Sequence, residues 1–183
     1  MNTTEIKFSG FGGQGVILAG IIIGRAASIY ANKFATLTQS FGPEARGSAC
    51  SAQLIVSDES VLNPYVTRPE ILMAISQEAC NKFLPEVTDD ATLIIEEDLV
   101  QPQGVKPGMK VYSIPATRIA EEIGRKMILN IVMVGFFTAV TGLIEYDAVR
   151  DAVRASVPQG TEVMNMKAFD RGYKYGEELL KNV

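Results

Sequence analysis

The sequence predicts an α/β protein with three layers, in which helices cover both faces of a largely parallel sheet. Short apolar runs bounded by turn residues recur up to residue 114 of the 183-residue chain, as buried strands do. Stretches with helical character follow several of these runs, and strands that alternate with helices pair in parallel. The expected architecture is a Rossmann-like α/β/α sandwich. No repeat, low-complexity tract or linker-like segment interrupts it, so residues 1–183 are expected to form one domain.

Six strands are predicted, at residues 6–9, 34–38, 49–56, 71–75, 92–95 and 111–114. Helices are predicted at residues 15–31, 77–84, 117–126, 128–143, 146–156 and 164–181. The fourth helix is nearly free of charge, yet it is too short and too often interrupted by Asn and Gly to span a bilayer, so we expect it in the core. Residues 57–69 and 97–110 are rich in turn formers and are expected to be loops.

The residue types that the chain lacks exclude several reaction mechanisms. With no histidine, it has no Ser-His or Cys-His nucleophile pair, no imidazole base and no histidine-containing zinc site. Its two cysteines, Cys50 and Cys80, are too few for an iron-sulfur cluster, which needs about four thiolates. We expect both to be small buried side chains of a protein in a reducing compartment.

Charge and the start of the chain bear on partners and location. The 17 basic and 21 acidic residues give a formal charge of -4, and no basic tract is present that would neutralise a phosphate backbone. This argues against nucleic acid as a partner. Neither a signal-peptide pattern nor a membrane span is evident, so a cytoplasmic location is expected.

A glycine-rich segment, GFGGQG at residues 10–15, lies between the first predicted strand and the first predicted helix. It satisfies the G-x-G-x-x-G fingerprint, whose glycines permit positive φ angles and let an anionic group approach the main chain. The amide groups and the dipole of the following helix attract negative charge. We therefore expect a phosphate or carboxylate here, with Gln14 capping the turn. The alternative is a tight strand-to-helix turn that needs small residues and binds nothing.

The dinucleotides that usually bind such a fingerprint are disfavoured. A dehydrogenase places an acidic residue about 20 positions further on, at the end of the second strand, to hold the ribose hydroxyls. From Ile6 to Pro43 the sequence has no Asp or Glu. No Gly-Lys-Ser/Thr follows the glycines either, which removes the support for a Walker loop and ATP hydrolysis. A complete dehydrogenase is thus the weakest of the functions considered.

A second polar segment, TQSFGPEARGS at residues 38–48, follows the second predicted strand. Arg46 is its one cation, and a guanidinium offers paired hydrogen bonds to a phosphate or carboxylate. Thr38, Gln39 and Ser40 are expected to orient Arg46 or to donate to the ligand. Because parallel sheets bind ligands beyond the carboxyl ends of their strands, this segment and the glycine turn should frame one cleft. The alternative is a solvated turn in which Arg46 pairs weakly with a neighbouring glutamate.

Taken together, GFGGQGV at residues 10–16 and TQSFGPEARGS at residues 38–48 resemble the gamma subunit of the 2-oxoacid:ferredoxin oxidoreductases. The pair is much more specific than either motif alone. SAQLIV at residues 51–56 and NIVMVG at residues 130–135 extend the resemblance over most of the chain. The pattern is most similar to the 2-oxoglutarate branch, followed by the pyruvate, 2-oxoisovalerate and indolepyruvate branches.

The resemblance implies an enzyme that oxidatively decarboxylates a 2-oxoacid with thiamine diphosphate, passes electrons through iron-sulfur clusters to ferredoxin and releases an acyl-coenzyme A. It assigns the thiamine site to alpha and beta subunits and the clusters to a beta or small ferredoxin-like subunit, with or without a delta subunit. The gamma chain completes the assembly and helps to receive coenzyme A; it is not expected to bind a cofactor or to catalyse a reaction alone. No residue is assigned to catalysis or to a metal. The cofactor-binding residues under this interpretation are Gly12, Gly13, Gln14, Gly15, Thr38, Gln39, Ser40 and Arg46.

Other interpretations stay open from the sequence. The chain can instead be a stand-alone binding module for an anionic small molecule or nucleotide. Asn130, at the start of an apolar helix, fits a helix N-cap at least as well as a ligand contact and is left outside the candidate site. The apolar loop from Val61 to Val66 is expected to lie in a subunit interface.

Overall fold

The computed structural model describes residues 3–40 and 49–182 of the chain. Its strands are β1 Thr3–Phe11, β2 Phe34–Ser40, β3 Ala49–Ser57, β4 Ile71–Ala74, β5 Thr92–Glu96 and β6 Lys110–Ile114. They form a six-stranded sheet in the order β2-β3-β1-β4-β5-β6. All six predicted strands are therefore confirmed, and β1 extends beyond its predicted run at both ends.

Among the described strands, β3 alone runs against the others. β1, β4, β5 and β6 pair in parallel, whereas β3 pairs antiparallel with both β1 and β2. The expected α/β fold is confirmed. The sheet was expected to be largely parallel, and the structure shows a mixed sheet in which one strand is antiparallel to its neighbours. The reason lies in the connection between β2 and β3, which is too short for the crossover that two parallel neighbours need.

Six α-helices accompany the sheet in the described residues, and they confirm the six predicted ones. They are α1 Val16–Arg25, α2 Gln77–Phe83, α3 Ala116–Ile123, α4 Leu129–Thr141, α5 Tyr146–Ser156 and α6 Glu162–Lys181. The helix predicted at residues 15–31 changes character near its end, because the turn Ala26–Tyr30 is π-helical. The Ala31 amide there donates to the carbonyl of Ala26, five residues back, at 2.9 Å.

Two cores lie on the two faces of the sheet. The larger core unites side chains of α1, α3, α4, α5 and α6, and it includes the fully buried rings of Phe8, Phe136 and Phe169. On the opposite face α2 packs over β1, β3 and β4. α4 is buried from Leu129 to Thr138, which confirms that it belongs to the core. Within residues 3–40 and 49–182, no helix has both the length and the apolar character that a membrane crossing requires.

Helices α4 and α6 cross with their backbones in direct contact at glycines. A Cβ atom added to Gly135 would overlap the carbonyl oxygen of Phe169 on α6. One added to Gly172 would overlap the carbonyl oxygen of Val132 on α4. Since both obstacles are backbone atoms, which cannot rotate away, the two helices reach this separation only because neither glycine has a side chain.

We expect Gly135→Ala to lower the free energy of unfolding by about 3 kcal/mol or more. Overpacking costs about 1–3 kcal/mol where side chains can shift, and here the obstacle is backbone. Urea denaturation would measure the change. The matched control is Gly12→Ala, where an added Cβ meets nothing within 4 Å, and its stability should stay within about 0.5 kcal/mol of the wild type. Equal stabilities of the two variants would contradict the tight crossing.

Both cysteines are buried, as expected. Burial raises the pKa of the Cys50 and Cys80 thiols, so at pH 8 a smaller fraction of each is the reactive thiolate than in an exposed cysteine. A thiol reagent such as DTNB should therefore label the native chain slowly at pH 8 and label both cysteines rapidly in denaturant. Rapid labelling of either cysteine in the native chain would contradict this.

Candidate anion-binding site

The glycine turn lies at the carboxyl end of β1, at a point where the sheet connections diverge. From β1 the chain passes through α1 to β2, while β4, on the other side of β1, leads into α2 on the opposite face. The amide of Ile75, just after β4, donates to the carbonyl of Ser9 at 2.9 Å, which keeps the two strand ends side by side. Open α/β sheets bind their ligands at such a switch point.

Two left-handed glycines and one side chain shape the turn. Gly13 has a φ of 90° and Gly15 a φ of 75°, a region that is costly for residues with a Cβ. The Oε1 atom of Gln14 accepts a hydrogen bond from the main-chain amide of Phe11 at 2.7 Å. The expectation that Gln14 caps the turn is thus confirmed. A Cβ on Gly10 would come within 2.7 Å of the same Oε1, so the cap requires a glycine there.

The outer side of the turn is open. Gly12 and Gly13 are exposed, and a Cβ atom added to either would meet nothing within 4 Å. Helix α1 starts directly behind them with no side-chain cap and no acidic residue in its first turn. The first amides of a helix lack intrahelical partners and carry a partial positive charge. The turn therefore offers an anion a surface of main-chain amides with no side chain of the turn covering it.

Asn130 fixes the inner side of the turn. Its Nδ2 atom donates to the carbonyl oxygen of Gly15 at 3.2 Å, and a Cβ on Gly15 would overlap this carboxamide. The expected N-cap role is wrong: Ile128 occupies the N-cap position of α4, and Asn130 lies inside the helix and is buried. Asn130 belongs to the site as a support, because it connects the buried helix α4 to the start of α1.

The end of β2 lies at the same edge of the sheet as the glycine turn. Phe11 at the end of β1 pairs with Ala49, and Ser40 at the end of β2 pairs with Ser51 on the same strand, β3. The expectation that the two segments approach one edge is therefore supported for residues up to Ser40. Arg46, with the rest of residues 41–48, lies outside the described residues.

The register separates the three β2 residues of the candidate site. Gln39 and Phe8 both pair with Ala52, so Gln39 shares the sheet face that α1 covers. Thr38 and Ser40 alternate with it and belong to the face of α2. Gln39 is thus the one of the three on the side of the glycine turn and α1.

Ser51 is a polar residue that sequence reasoning missed. Its Oγ atom is buried and has no hydrogen-bond partner among the described residues. It lies on the same face as Ser40, its pairing partner. A buried hydroxyl without a partner costs about 1–3 kcal/mol. In the sequence Ser51 lies within the predicted strand at residues 49–56 and looks like an ordinary small strand residue, so no signal distinguishes it.

These groups are suited to binding rather than to proton transfer. The carboxamides of Gln14 and Asn130 and the main-chain amides of the turn do not ionise near neutral pH. No cluster of three or more His, Cys, Asp or Glu that would hold a metal occurs in the part of the chain that the structure describes. The arrangement can hold an anionic group in place, and it supplies neither a general acid nor a base.

Comparison with known proteins places the chain in a family. A family model described as pyruvate ferredoxin/flavodoxin oxidoreductase matches residues 5–175. The chain belongs to this family. The 2-oxoglutarate synthase subunit KorC of Methanocaldococcus jannaschii is 45% identical over 177 residues, which cover 96% of this chain and 95% of the relative.

Solved structures show the same fold in two contexts. The gamma subunit of a keto/oxoacid ferredoxin oxidoreductase from Geobacter sulfurreducens PCA is 36% identical with a TM-score of 0.82, and the match covers 94% of this chain and 98% of that one. The resemblance to a gamma subunit is therefore confirmed. A 2-oxoglutarate:ferredoxin oxidoreductase from Magnetococcus marinus, solved with 2-oxoglutarate, coenzyme A and succinyl-CoA, has a TM-score of 0.87 at 20% identity. There, 97% of this chain matches only 32% of a longer chain.

Gln14→Leu should loosen the glycine turn while preserving the sheet. The variant removes the acceptor of the Phe11 amide but keeps a side chain of similar size. We expect hydrogen-deuterium exchange at the Phe11 amide to speed up by about 10-fold, the equivalent of one net hydrogen bond. The amide of Phe8, deeper in β1, should be unchanged. Unaltered exchange at Phe11 would show that the cap does not hold the turn.

Asn130→Asp should destabilise the chain by about 1–3 kcal/mol near neutral pH. It replaces the donor to the Gly15 carbonyl by an acceptor in a buried position. Thermal unfolding would measure the loss. The control for the general cost of the substitution is Asn165→Asp. Asn165 is also buried, and its Nδ2 donates to the carbonyl of Thr161 at the start of the same helix, α6. Only Asn130→Asp should also speed up hydrogen-deuterium exchange of the amides at the start of α1, because only Asn130 contacts Gly15.

Proposed function

We propose that the chain is the gamma subunit of a thiamine-diphosphate-dependent 2-oxoacid:ferredoxin oxidoreductase that converts 2-oxoglutarate to succinyl-CoA. In this proposal the chain completes the complex and holds the coenzyme A that receives the acyl group. The observation that carries it is the open amide surface at Gly12 and Gly13 in front of α1, which suits a phosphate of coenzyme A.

The choice of substrate rests on relatives. The relative from Methanocaldococcus jannaschii is named a 2-oxoglutarate synthase subunit, and 45% identity over nearly its full length supports the same branch for this chain. The Magnetococcus marinus enzyme holds 2-oxoglutarate, coenzyme A and succinyl-CoA, which makes these the first compounds to test. The pocket that selects the 2-oxoacid would lie largely in other subunits.

A division of labour between subunits agrees with the chemistry of the chain. Its only two cysteines are buried on separate elements, Cys50 on β3 and Cys80 on α2, so neither the number nor the placement suits an iron-sulfur cluster. The groups at the turn bind and position. We therefore assign the cofactors to alpha and beta subunits, with or without a delta subunit. Those subunits would hold thiamine diphosphate and the iron-sulfur clusters, and they would pass electrons to ferredoxin.

The glycine turn receives the phosphate in the following way. Main-chain amides at Gly12, Gly13 and Gly15 donate to its oxygens, and the start of α1 adds a favourable field. Gln14 and Asn130 hold these amides in place through their contacts with Phe11 and Gly15. Arg46 completes the set by pairing with an anionic group of the same ligand, and Gln39, on the sheet face of α1, donates a hydrogen bond to it. Thr38 and Ser40, which belong to the opposite face, are less suited to this ligand than the sequence predicts. When bound, coenzyme A supplies the thiol that accepts the acyl group.

Gly12→Val tests the turn most directly. The added side chain enters open space above the amides. Gly12 is chosen over Gly13 because Gly13 has a positive φ, which would strain any substitution there, and Gly12 does not. In the assembled complex we expect the apparent Michaelis constant for coenzyme A to rise about 10- to 100-fold, as loss of one charge-assisted hydrogen bond would give. Gly12→Ala should have a smaller effect. Normal constants in both variants would make the glycines purely structural.

Arg46→Ala should raise the Michaelis constant for coenzyme A by about 10-fold or more, because it removes the only cation of residues 38–48. The constant for 2-oxoglutarate should change less. Arg154→Ala, which removes an exposed arginine from α5, is the control and should leave both constants unchanged. If Arg46→Ala assembles normally and keeps the wild-type constant for coenzyme A, the assignment of Arg46 is wrong.

Calorimetric titration of coenzyme A against the isolated chain and the whole complex separates the two functions considered. Binding only in the complex would identify a site shared between subunits. Tight binding of an anionic ligand by the isolated chain, without any assembly with alpha and beta subunits, would instead favour a stand-alone binding module.

A further inference from the structure

We propose that a second surface, at the opposite end of the sheet from the glycine turn, docks the chain onto its partner subunit; this inference rests on the proposed function. The surface, here called the β2 corner, consists of five exposed apolar side chains. Ile29 is 65% exposed, Tyr30 42%, Phe34 48%, Leu62 96% and Tyr65 68%. Isolated exposed apolar residues are normal, but a group of large ones indicates an interface.

The topology brings these side chains to one corner of the molecule. Phe34, the first residue of β2, pairs with Ser57, the last residue of β3. Ile29 and Tyr30 end the π-helical turn just before β2, and the loop with Leu62 and Tyr65 follows β3 directly. An ion pair of 2.5 Å between Lys33 and Asp58 ties these two connections together.

The loop that carries Leu62 and Tyr65 is held in a defined shape. The Glu5 carboxylate at the start of β1 accepts hydrogen bonds from the main-chain amides of Thr67 at 2.7 Å and Arg68 at 2.8 Å. The Asn63 side chain accepts one from the amide of Tyr65 at 3.1 Å, which forms a local turn. Exposed apolar side chains on a fixed backbone lose little conformational entropy on binding, which suits them as anchors of an interface.

The surface has concave as well as projecting parts. A cavity of about 310 Å³ opens beside Leu62 and Tyr65, between the loop and the ends of β1 and β3. Another of about 260 Å³ lies between α1 and the face of β2, next to Ile29. A partner can therefore bind the aromatic and aliphatic side chains that project from this surface, and it can insert side chains of its own into the two cavities. This pattern is typical of interfaces in which a few anchors provide most of the binding energy.

β2 is an edge strand of the described sheet, and its outer edge has no strand beside it. Such an edge presents unpaired main-chain donors and acceptors, which proteins normally cover or protect with charges. From Phe34 to Ser40 this strand has no charged residue, Pro or bulge to protect it. The edge thus continues the β2 corner as a surface that a partner can cover.

The occupant we infer is the chain that carries the rest of the oxidoreductase. In the Magnetococcus marinus enzyme this fold makes up 32% of one longer chain, so there the domain is covalently joined to further parts of the enzyme. Under the proposed function the corresponding parts belong to other subunits, which this domain must hold by a non-covalent surface. Around the corner acidic residues outnumber basic ones by four to three, with Glu5, Asp58, Glu59 and Glu70 against Arg25, Lys33 and Arg68. The partner should accordingly present an apolar surface with a basic rim.

The test is assembly of charged variants with the alpha and beta subunits from the same organism. Leu62→Glu and Tyr65→Glu, singly and together, introduce charge at exposed positions where the fold of the chain should not suffer. The control is Val163→Glu on α6, where a side chain 86% exposed lies outside the corner. Unchanged thermal unfolding of each isolated variant establishes that it is folded, and binding to the other subunits is measured by analytical ultracentrifugation or surface plasmon resonance.

We expect each corner variant to weaken assembly by about 30-fold or more, as loss of an interface anchor does, and the control to assemble like the wild type. Turnover of the corner variants should recover at high concentrations of the chain, whereas Gly12→Val should assemble normally and keep its defect in coenzyme A use. Wild-type assembly of the corner variants would overturn the inference and leave the proposed function intact. Failure of the wild-type chain to assemble would overturn both. A wild-type homodimer that Leu62→Glu dissociates, with assembly unaffected, would show that a second copy occupies the corner.

Discussion

The crossing of α4 and α6 at Gly135 and Gly172 is the constraint on which the position of the candidate site depends. Because neither glycine has a side chain, the two helix backbones touch. This contact fixes α4 in the core, where the fully buried ring of Phe137 packs against that of Phe8 on β1 with a centroid separation of 5.4 Å. The first turn of the same helix carries Asn130, whose carboxamide bonds to Gly15. A glycine contact on one side of the larger core thus determines where the main-chain amides of the glycine turn lie on the other.

The two ends of the sheet divide the proposed tasks. At the carboxyl ends of the parallel strands, glycines leave main-chain amides uncovered, and carboxamides hold them without adding charge. At the amino ends, a loop fixed by the Glu5 carboxylate presents apolar side chains to solvent. These surfaces share β1, β2 and β3 but no side chain. A ligand site and a docking surface that are separated in this way can each change without disturbing the other, which fits a subunit whose function depends on its partners.

Much of the fold follows from local patterns in the sequence, and what was missed depends on long-range contacts. Every strand is a run of apolar residues between turn formers, and this pattern suffices to locate all six. The direction of β3 was not predicted, since it shows only in the antiparallel pairing of β3 with β1 and β2 and not in the residues of β3 itself. For Asn130 the sequence left an N-cap and a ligand contact both open, because a polar residue at the start of an apolar helix suits either role. Its actual partner, the carbonyl of Gly15, is 115 residues away. The cap by Gln14 was predicted because it is local, spanning three residues.

The lack of an acidic residue at the end of β2, Phe34–Ser40, limits the affinity that the turn could provide for a nucleotide. A dehydrogenase of this topology recognises both the phosphates and the ribose of its ligand, whereas the turn described here presents only groups that suit an anionic charge. The start of a helix contributes about 0.3–2 kcal/mol to the binding of an anion, and a charge-assisted hydrogen bond about 1.5–3 kcal/mol. Since about 4.1 kcal/mol corresponds to a dissociation constant of 1 mM, contacts of this size would give the isolated chain weak binding of coenzyme A, in the millimolar range. Tighter binding of coenzyme A requires contacts with its adenine, ribose or pantetheine from elsewhere. Under the proposed function the chain would position one end of coenzyme A, and its partner subunits would recognise the remainder.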